Sequence, residues 1–194
     1  MADIRSQSPR HPLWHLLVVS ALVWLSFLLC EGLHWLDPSH WQPKVRPEVH
    51  MIFLPHGMIV LLAWFYGWMV VPLVLPALLV AVAFIAGPEY MTPNVALLTV
   101  SRILTVMLAF EVLRHVCCDA RQDTGRRGLR ALFAAGLLSS LAFNLLRVSY
   151  GHCCEVMTLA EKAMAYAVAV GADLVGLVVV MTGAMLLFRA LRHI

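Results

Sequence analysis

Long runs of apolar residues fill most of the chain, and the polar residues between them come in short interruptions. A hydrocarbon core of roughly 30 Å takes about 20 apolar residues per crossing helix. On that measure candidate spans fall at about 12–33, 50–67, 69–87, 94–116, 129–150 and 164–188. The pattern predicts an all-α polytopic integral membrane protein, a bundle of six transmembrane helices forming a single transmembrane domain over 1–194, with no soluble domain. The second and third spans are expected to be short and kinked. Phe53-Leu54-Pro55-His56-Gly57 opens the second, Tyr66-Gly67-Trp68 turns the chain, Pro72 fits the first turn of the third, and Pro76 should bend it. Short spans interrupted by Gly and Pro mark binding sites in many membrane proteins, because freed backbone groups must find protein, water or ligand, but plain kinks in a tight bundle have the same signature.

Composition removes the soluble alternatives: 61% of the residues are hydrophobic and 13% charged, too apolar for the interior of one soluble domain of 194 residues. The basic residues set the orientation. With both termini cytoplasmic, Arg5, Arg10, Arg114, Arg121, Arg126, Arg127, Arg130, Arg189 and Arg192 lie inside, and Lys44, Arg46, Arg147 and Lys162 outside. The basic loop from Asp119 to Arg130 then reads as a topology determinant touching anionic lipid, with no nucleic acid as partner. Trp14, Trp35, Trp41, Trp64 and Trp68 sit near span ends, as interfacial anchors do. The first span ends at a charge, Glu31, and lacks a small-residue cleavage site, so it is expected to stay as a helix.

Against this apolar background two opposite charges stand out. Arg102 lies eight residues into the fourth span and Asp173 nine into the sixth. At 1.5 Å per helical residue they sit roughly 12 Å and 14 Å from the outer face, so they can meet. His56 in the second span, and Asn144 and Arg147 near the outer end of the fifth, fall in the same half. A charge near the bilayer centre costs about 2.5–3.5 kcal/mol on insertion scales, so these groups must face the bundle interior or water and have partners. Two readings follow: a buried ion pair locking helices together, or a pocket open to the outside in which His56, Arg102, Asn144, Arg147 and Asp173 bind a small polar or anionic ligand. Glu111, one turn before Arg114 and His115, is expected to be satisfied within its own helix. Gly136, Ser139 and Ser140 on the fifth span, and Gly171, Gly176 and Gly183 on the sixth, are packing signals.

Two Cys-Cys pairs follow histidines, His115-Val116-Cys117-Cys118 and His152-Cys153-Cys154, but the topology puts a membrane between them, so no shared metal site is expected. His152, Cys153 and Cys154 remain weak metal candidates, with His34, His40 or His50 as further ligands, and one outer thiol is alternatively a disulfide partner for Cys30. No cofactor is specified. Motifs for hydrolase, metalloprotease or phosphate-loop chemistry are absent from the sequence, and Ser101 with distant His56 makes a poor nucleophile and base, so the expectation is a non-enzyme.

The segment Phe53-Leu54-Pro55-His56-Gly57-Met58 followed by Leu61-Leu62-Ala63-Trp64-Phe65-Tyr66-Gly67-Trp68 resembles MASE1-type membrane sensory domains, and is similar in span number and opening to the S components of energy-coupling-factor vitamin transporters. The resemblance covers roughly 35 residues and implies a role in ligand binding for Pro55, His56 and Gly57 only. It also implies a partner to report to, since no cytoplasmic signalling domain follows the sixth span. The expected function is a non-enzymatic module of a bacterial inner (cytoplasmic) membrane, sensor-like or a binding subunit. It would bind a small ligand or another membrane protein from the periplasmic side and act within a larger complex. The alternatives are a structural or assembly accessory subunit, a small transporter or S-component-like substrate-binding subunit, and a periplasmic-side metal or redox protein.

Overall fold

A computed structural model describes residues 12–35, 52–116, 126–150 and 158–191. These form six α-helices, α1 (Pro12–Trp35), α2 (Leu54–Tyr66), α3 (Val70–Ala86), α4 (Pro93–Val116), α5 (Arg126–Tyr150) and α6 (Leu159–Leu191), with short 3-10 turns at Gly67–Met69 and Pro88–Tyr90. The all-α expectation holds, and no strand occurs among the described residues. Five stretches are long and apolar enough to cross a membrane: Leu13–Leu33, Leu54–Ile85, Pro93–Val116, Arg127–Tyr150 and Leu159–Leu191. The second and third expected spans both fall in Leu54–Ile85, which is broken into two helices. α2, with 13 residues, is about 20 Å long, and α3, with 17, about 26 Å.

The break is at Gly67, whose φ of 57° lies where glycine is favoured, so the helix stops there and the chain turns back. Contacts to α1 show the reversal. The His15 ring meets Tyr66 and the Phe27 ring meets Phe53, so α1 and α2 are antiparallel, whereas Trp24 meets Phe84 near the far end of α3. α3 therefore runs back alongside α1. Pro72 and Pro76 both lie within it, and it continues as an α-helix through Pro76. α6 begins five residues earlier than the sequence expectation because Thr158 and Glu161 cap it reciprocally, Thr158 N–H donating to Glu161 Oε2 at 2.9 Å and Glu161 N–H to Thr158 Oγ1 at 3.4 Å.

A core of Val19 and Val23 from α1, Ile59 and Val60 from α2, Leu78 from α3, Ile103 and Met107 from α4, Leu132 from α5 and Leu177 from α6 is almost completely buried. Outward faces are apolar too: Leu17, Phe84, Leu108, Leu145, Leu159 and Leu187 are all more than half exposed. A bundle that is apolar inside and out suits a lipid surround.

α2 and α6 run parallel, with Phe53 beside Ala172 at one end and Phe65 against Phe188 at the other. Phe53 N–H donates to the Ala172 carbonyl at 3.0 Å. Two glycines permit this closeness. A Cβ on Gly57 would lie 2.8 Å from Gly176 O, and one on Gly176 would run into the Phe53 carbonyl. A Cβ on Gly136 of α5 would meet the Leu177 side chain. Gly171 and Gly183, read from the sequence as packing glycines, have nothing within 4 Å of such a Cβ and do not serve helix contact.

Gly176→Val should cost about 1–3 kcal/mol through overpacking or prevent folding, whereas Gly171→Ala should be neutral or gain up to about 1 kcal/mol in helix propensity. Thermal unfolding in mild detergent measures both. Equal effects would contradict the close α2–α6 crossing.

Candidate functional site

The N-terminal halves of α2, α4 and α6 and the C-terminal half of α5 converge around Asp173, which is 2% exposed. Each contributes for a local reason. On α5, Ser140 and Asn144 are four residues apart and so share a face. Ser140 Oγ donates to Asp173 Oδ2 at 2.8 Å, and Asn144 Nδ2 donates to the same oxygen at 2.7 Å and back to the Ser140 carbonyl at 3.0 Å. From α4, Arg102 Nη1 lies 3.5 Å from Asp173 Oδ1, an ion pair without hydrogen-bond alignment. Both carboxylate oxygens are thus engaged, by two different helices.

The Arg102 guanidinium lies over two aromatic rings, 4.0 Å from the Phe143 centroid and 4.6 Å from that of Phe53. Desolvated cation–π contacts of this kind are worth about 2 kcal/mol, and they let an arginine with only 12% side-chain exposure stay buried. Phe53 also supplies the backbone bond to Ala172, so one residue ties the start of α2 to both partners of the ion pair.

His56 is 1% exposed and lies one turn beyond Phe53 on α2. Its Nε2 is 3.1 Å from the Gly136 carbonyl of α5, and a carbonyl can only accept, so Nε2 carries the hydrogen. Nδ1 then presents a lone pair whenever the ring is neutral. Asn144 is fixed by the same logic: its NH2 must face the carboxylate, which leaves Oδ1 pointing elsewhere. Among the described residues, buried side-chain nitrogen or oxygen atoms without a hydrogen-bond partner number three, His56 Nδ1, Arg102 Nη1 and Asn144 Oδ1. All belong to this one cluster. Such atoms are costly in an apolar interior, at about 1–3 kcal/mol each, and are concentrated where water or a ligand completes the network.

Of the five residues picked from the sequence, His56, Arg102, Asn144 and Asp173 are brought together. Arg147 is half-buried near the C-terminal end of α5, close enough for its charge to act on Arg102, but makes no direct contact with Asp173. Sequence reasoning missed Ser140, Phe53 and Phe143 as site residues. The spacing of Ser140 and Asn144 was a usable signal; two phenylalanines in an apolar stretch carry none.

Other expectations resolve separately. Glu111 accepts from Arg114 Nη1 at 3.2 Å within its own helix, as expected, and also from Trp68 Nε1 at 3.2 Å in the turn between α2 and α3. Cys30 is a buried free thiol donating to the Ile52 carbonyl at 3.1 Å, which corrects its reading as a disulfide partner. Ser101 Oγ donates to the Leu97 carbonyl of its own helix. The weak metal candidates His152, Cys153 and Cys154, the Cys117-Cys118 pair, His40, His50 and Trp41 lie outside the described residues, as do most of the basic loop and of the loop between α1 and α2. Among the described residues no group of three or more His, Cys, Asp or Glu side chains is placed to hold a metal ion.

No family model, curated protein or solved structure matches the chain.

Asp173→Asn should destabilise the bundle by about 3–5 kcal/mol, because Arg102 is left as an uncompensated buried charge. Asp173→Leu leaves the same unpaired charge, and adding Arg102→Leu to it should recover much of the loss, a non-additivity that a double-mutant cycle of these two leucine changes in thermal unfolding measures. Additive losses would mean the two charges do not act on each other.

Proposed function

We propose that the chain is a non-enzymatic, multi-pass module of a bacterial inner membrane that binds a small polar ligand from the periplasmic side at the Asp173 cluster and acts within a larger membrane complex. In this reading α2 and α3 both cross, which gives six passes with both termini cytoplasmic, and the shortness of α2 sinks its outer end into the bundle beside the ligand. The observation that carries the reading is the set of buried polar atoms without a hydrogen-bond partner on His56, Arg102 and Asn144. One is a donor and, with His56 neutral, two are acceptors, so a ligand able both to accept and to donate suits the set. Binding sites of this kind fit a sensor-like or substrate-binding subunit, the role that the resemblance at Pro55-His56-Gly57 also implies.

A second reading, an accessory subunit in which the cluster only locks helices, is favoured by the completeness of the shell around Asp173. Native mass spectrometry of the chain released from mild detergent separates the two. Ligand binding predicts a small-molecule adduct on the wild type that is absent from the folded Arg102→Leu/Asp173→Leu variant. A folded wild type with no adduct, or an adduct unaffected by the double change, would contradict it.

A further inference from the structure

Resting on that reading, we propose that the ligand is a small carboxylic acid, held as a carboxylate together with one proton taken up by His56 Nδ1. The charges at the site lead to this. Within the buried shell Arg102 and Asp173 balance each other, and His56 adds no charge while its ring is neutral. An anion arriving alone would leave one uncompensated charge in an apolar bundle, whereas an anion arriving with a proton leaves the shell neutral. The proton has one place to go. Nε2 of His56 is committed to the Gly136 carbonyl, Asp173 is already paired and doubly hydrogen-bonded, and Nδ1 is the partnerless basic atom.

The hydrogen bonds agree with the charges. Once protonated, Nδ1 changes from acceptor to donor, so it and Arg102 Nη1 become two buried N–H donors of the same cluster without a hydrogen-bond partner. A carboxylate offers one oxygen to each. The neighbourhood is cationic as well. The first turn of α2, Leu54 to Gly57, is buried, has no acidic residue and no side-chain cap, and its positive dipole end lies where Phe53 carries the Arg102 guanidinium. Arg147, half-buried at the outer end of α5, lies outside that buried shell and so leaves its charge balance unchanged, but it places a positive charge on the approach from outside.

Charged groups facing His56 are Asp173 from α6 and Arg102 from α4, with Arg147 of α5 acting through Arg102. α3 contains no titratable residue, and on α1 Cys30, which donates to the Ile52 carbonyl, and Glu31 beside it lie toward the same end as the start of α2. None of these offers a second proton acceptor free of a partner in the shell.

The test uses the wild-type chain in phosphatidylcholine nanodiscs, with histidine labelled with nitrogen-15 and the His56 signals assigned by difference against His56→Gln. Acetate is titrated at constant ionic strength at several pH values between 6 and 8. Acetate should convert His56 Nδ1 saturably from a bare to a proton-bearing nitrogen. While the free ring is neutral, its apparent affinity should rise about tenfold for each unit fall in pH, because one proton binds with each anion. In His56→Gln acetate affinity should not vary with pH. Acetate binding with no pH dependence in the wild type, or acetamide binding as well as acetate, would overturn the acid while leaving a polar ligand site standing. A response that needs added phosphatidylglycerol would overturn it too, since the anion would then be a lipid headgroup. If neither probe binds and native mass spectra show no adduct, the ligand-binding reading itself fails.

Discussion

The bundle is organised around the need to compensate one carboxylate. Asp173 sits midway along α6, where a bare charge would oppose both folding and residence in an apolar medium. Its neutralisation draws in Arg102 from α4 and Ser140 and Asn144 from α5, and Arg102 in turn rests on Phe53 and Phe143. Removing any member strands another, so these contacts specify how four helices pack as well as holding them. Specificity of this kind matters where apolar contacts alone discriminate poorly, because an exposed leucine gains little from packing when lipid is its alternative.

Close backbone contact is the second constraint, and it follows from the first. For Phe53 to reach both Arg102 and Ala172, the start of α2 must lie against α6 with no side chain between, and Gly57 and Gly176 meet that condition. The turn at Gly67 then keeps α2 short, so its first residues are buried within the bundle and do not extend past it. A helix start, a guanidinium and a histidine with one uncommitted nitrogen are thereby held in one small region. The same geometry that stabilises the pair leaves polar atoms unsatisfied, and that residue of unused capacity is what a ligand would take.

Much of this was legible in the sequence. The rise of a helix alone put Arg102 and Asp173 at one depth, because charges inside apolar stretches contrast sharply with their surroundings. Asn144 and His56 were readable for the same reason. Phe53 and Phe143 were not: an aromatic residue among leucines and valines gives no sign that it carries a cation. Glycines were ambiguous, since Gly136, Gly176, Gly171 and Gly183 are alike in sequence and differ only in which face of the helix meets a neighbour. The turn at Gly67 was legible as well, with a short helix on either side of it, and α2 alone is shorter than a full hydrocarbon core.

The account stands or falls on the Arg102–Asp173 contact in a bilayer. Solid-state NMR dipolar recoupling between nitrogen-15 arginine side chains and carbon-13 aspartate carboxylates, in phosphatidylcholine bilayers, reads it directly, with Asp173→Asn identifying the signal. The Nη1–Oδ1 separation of 3.5 Å predicts strong dephasing at the Asp173 carboxylate. Absence of dephasing at an ionised Asp173 in the folded protein would contradict the ion pair, and with it the arrangement of helices and the site built on it.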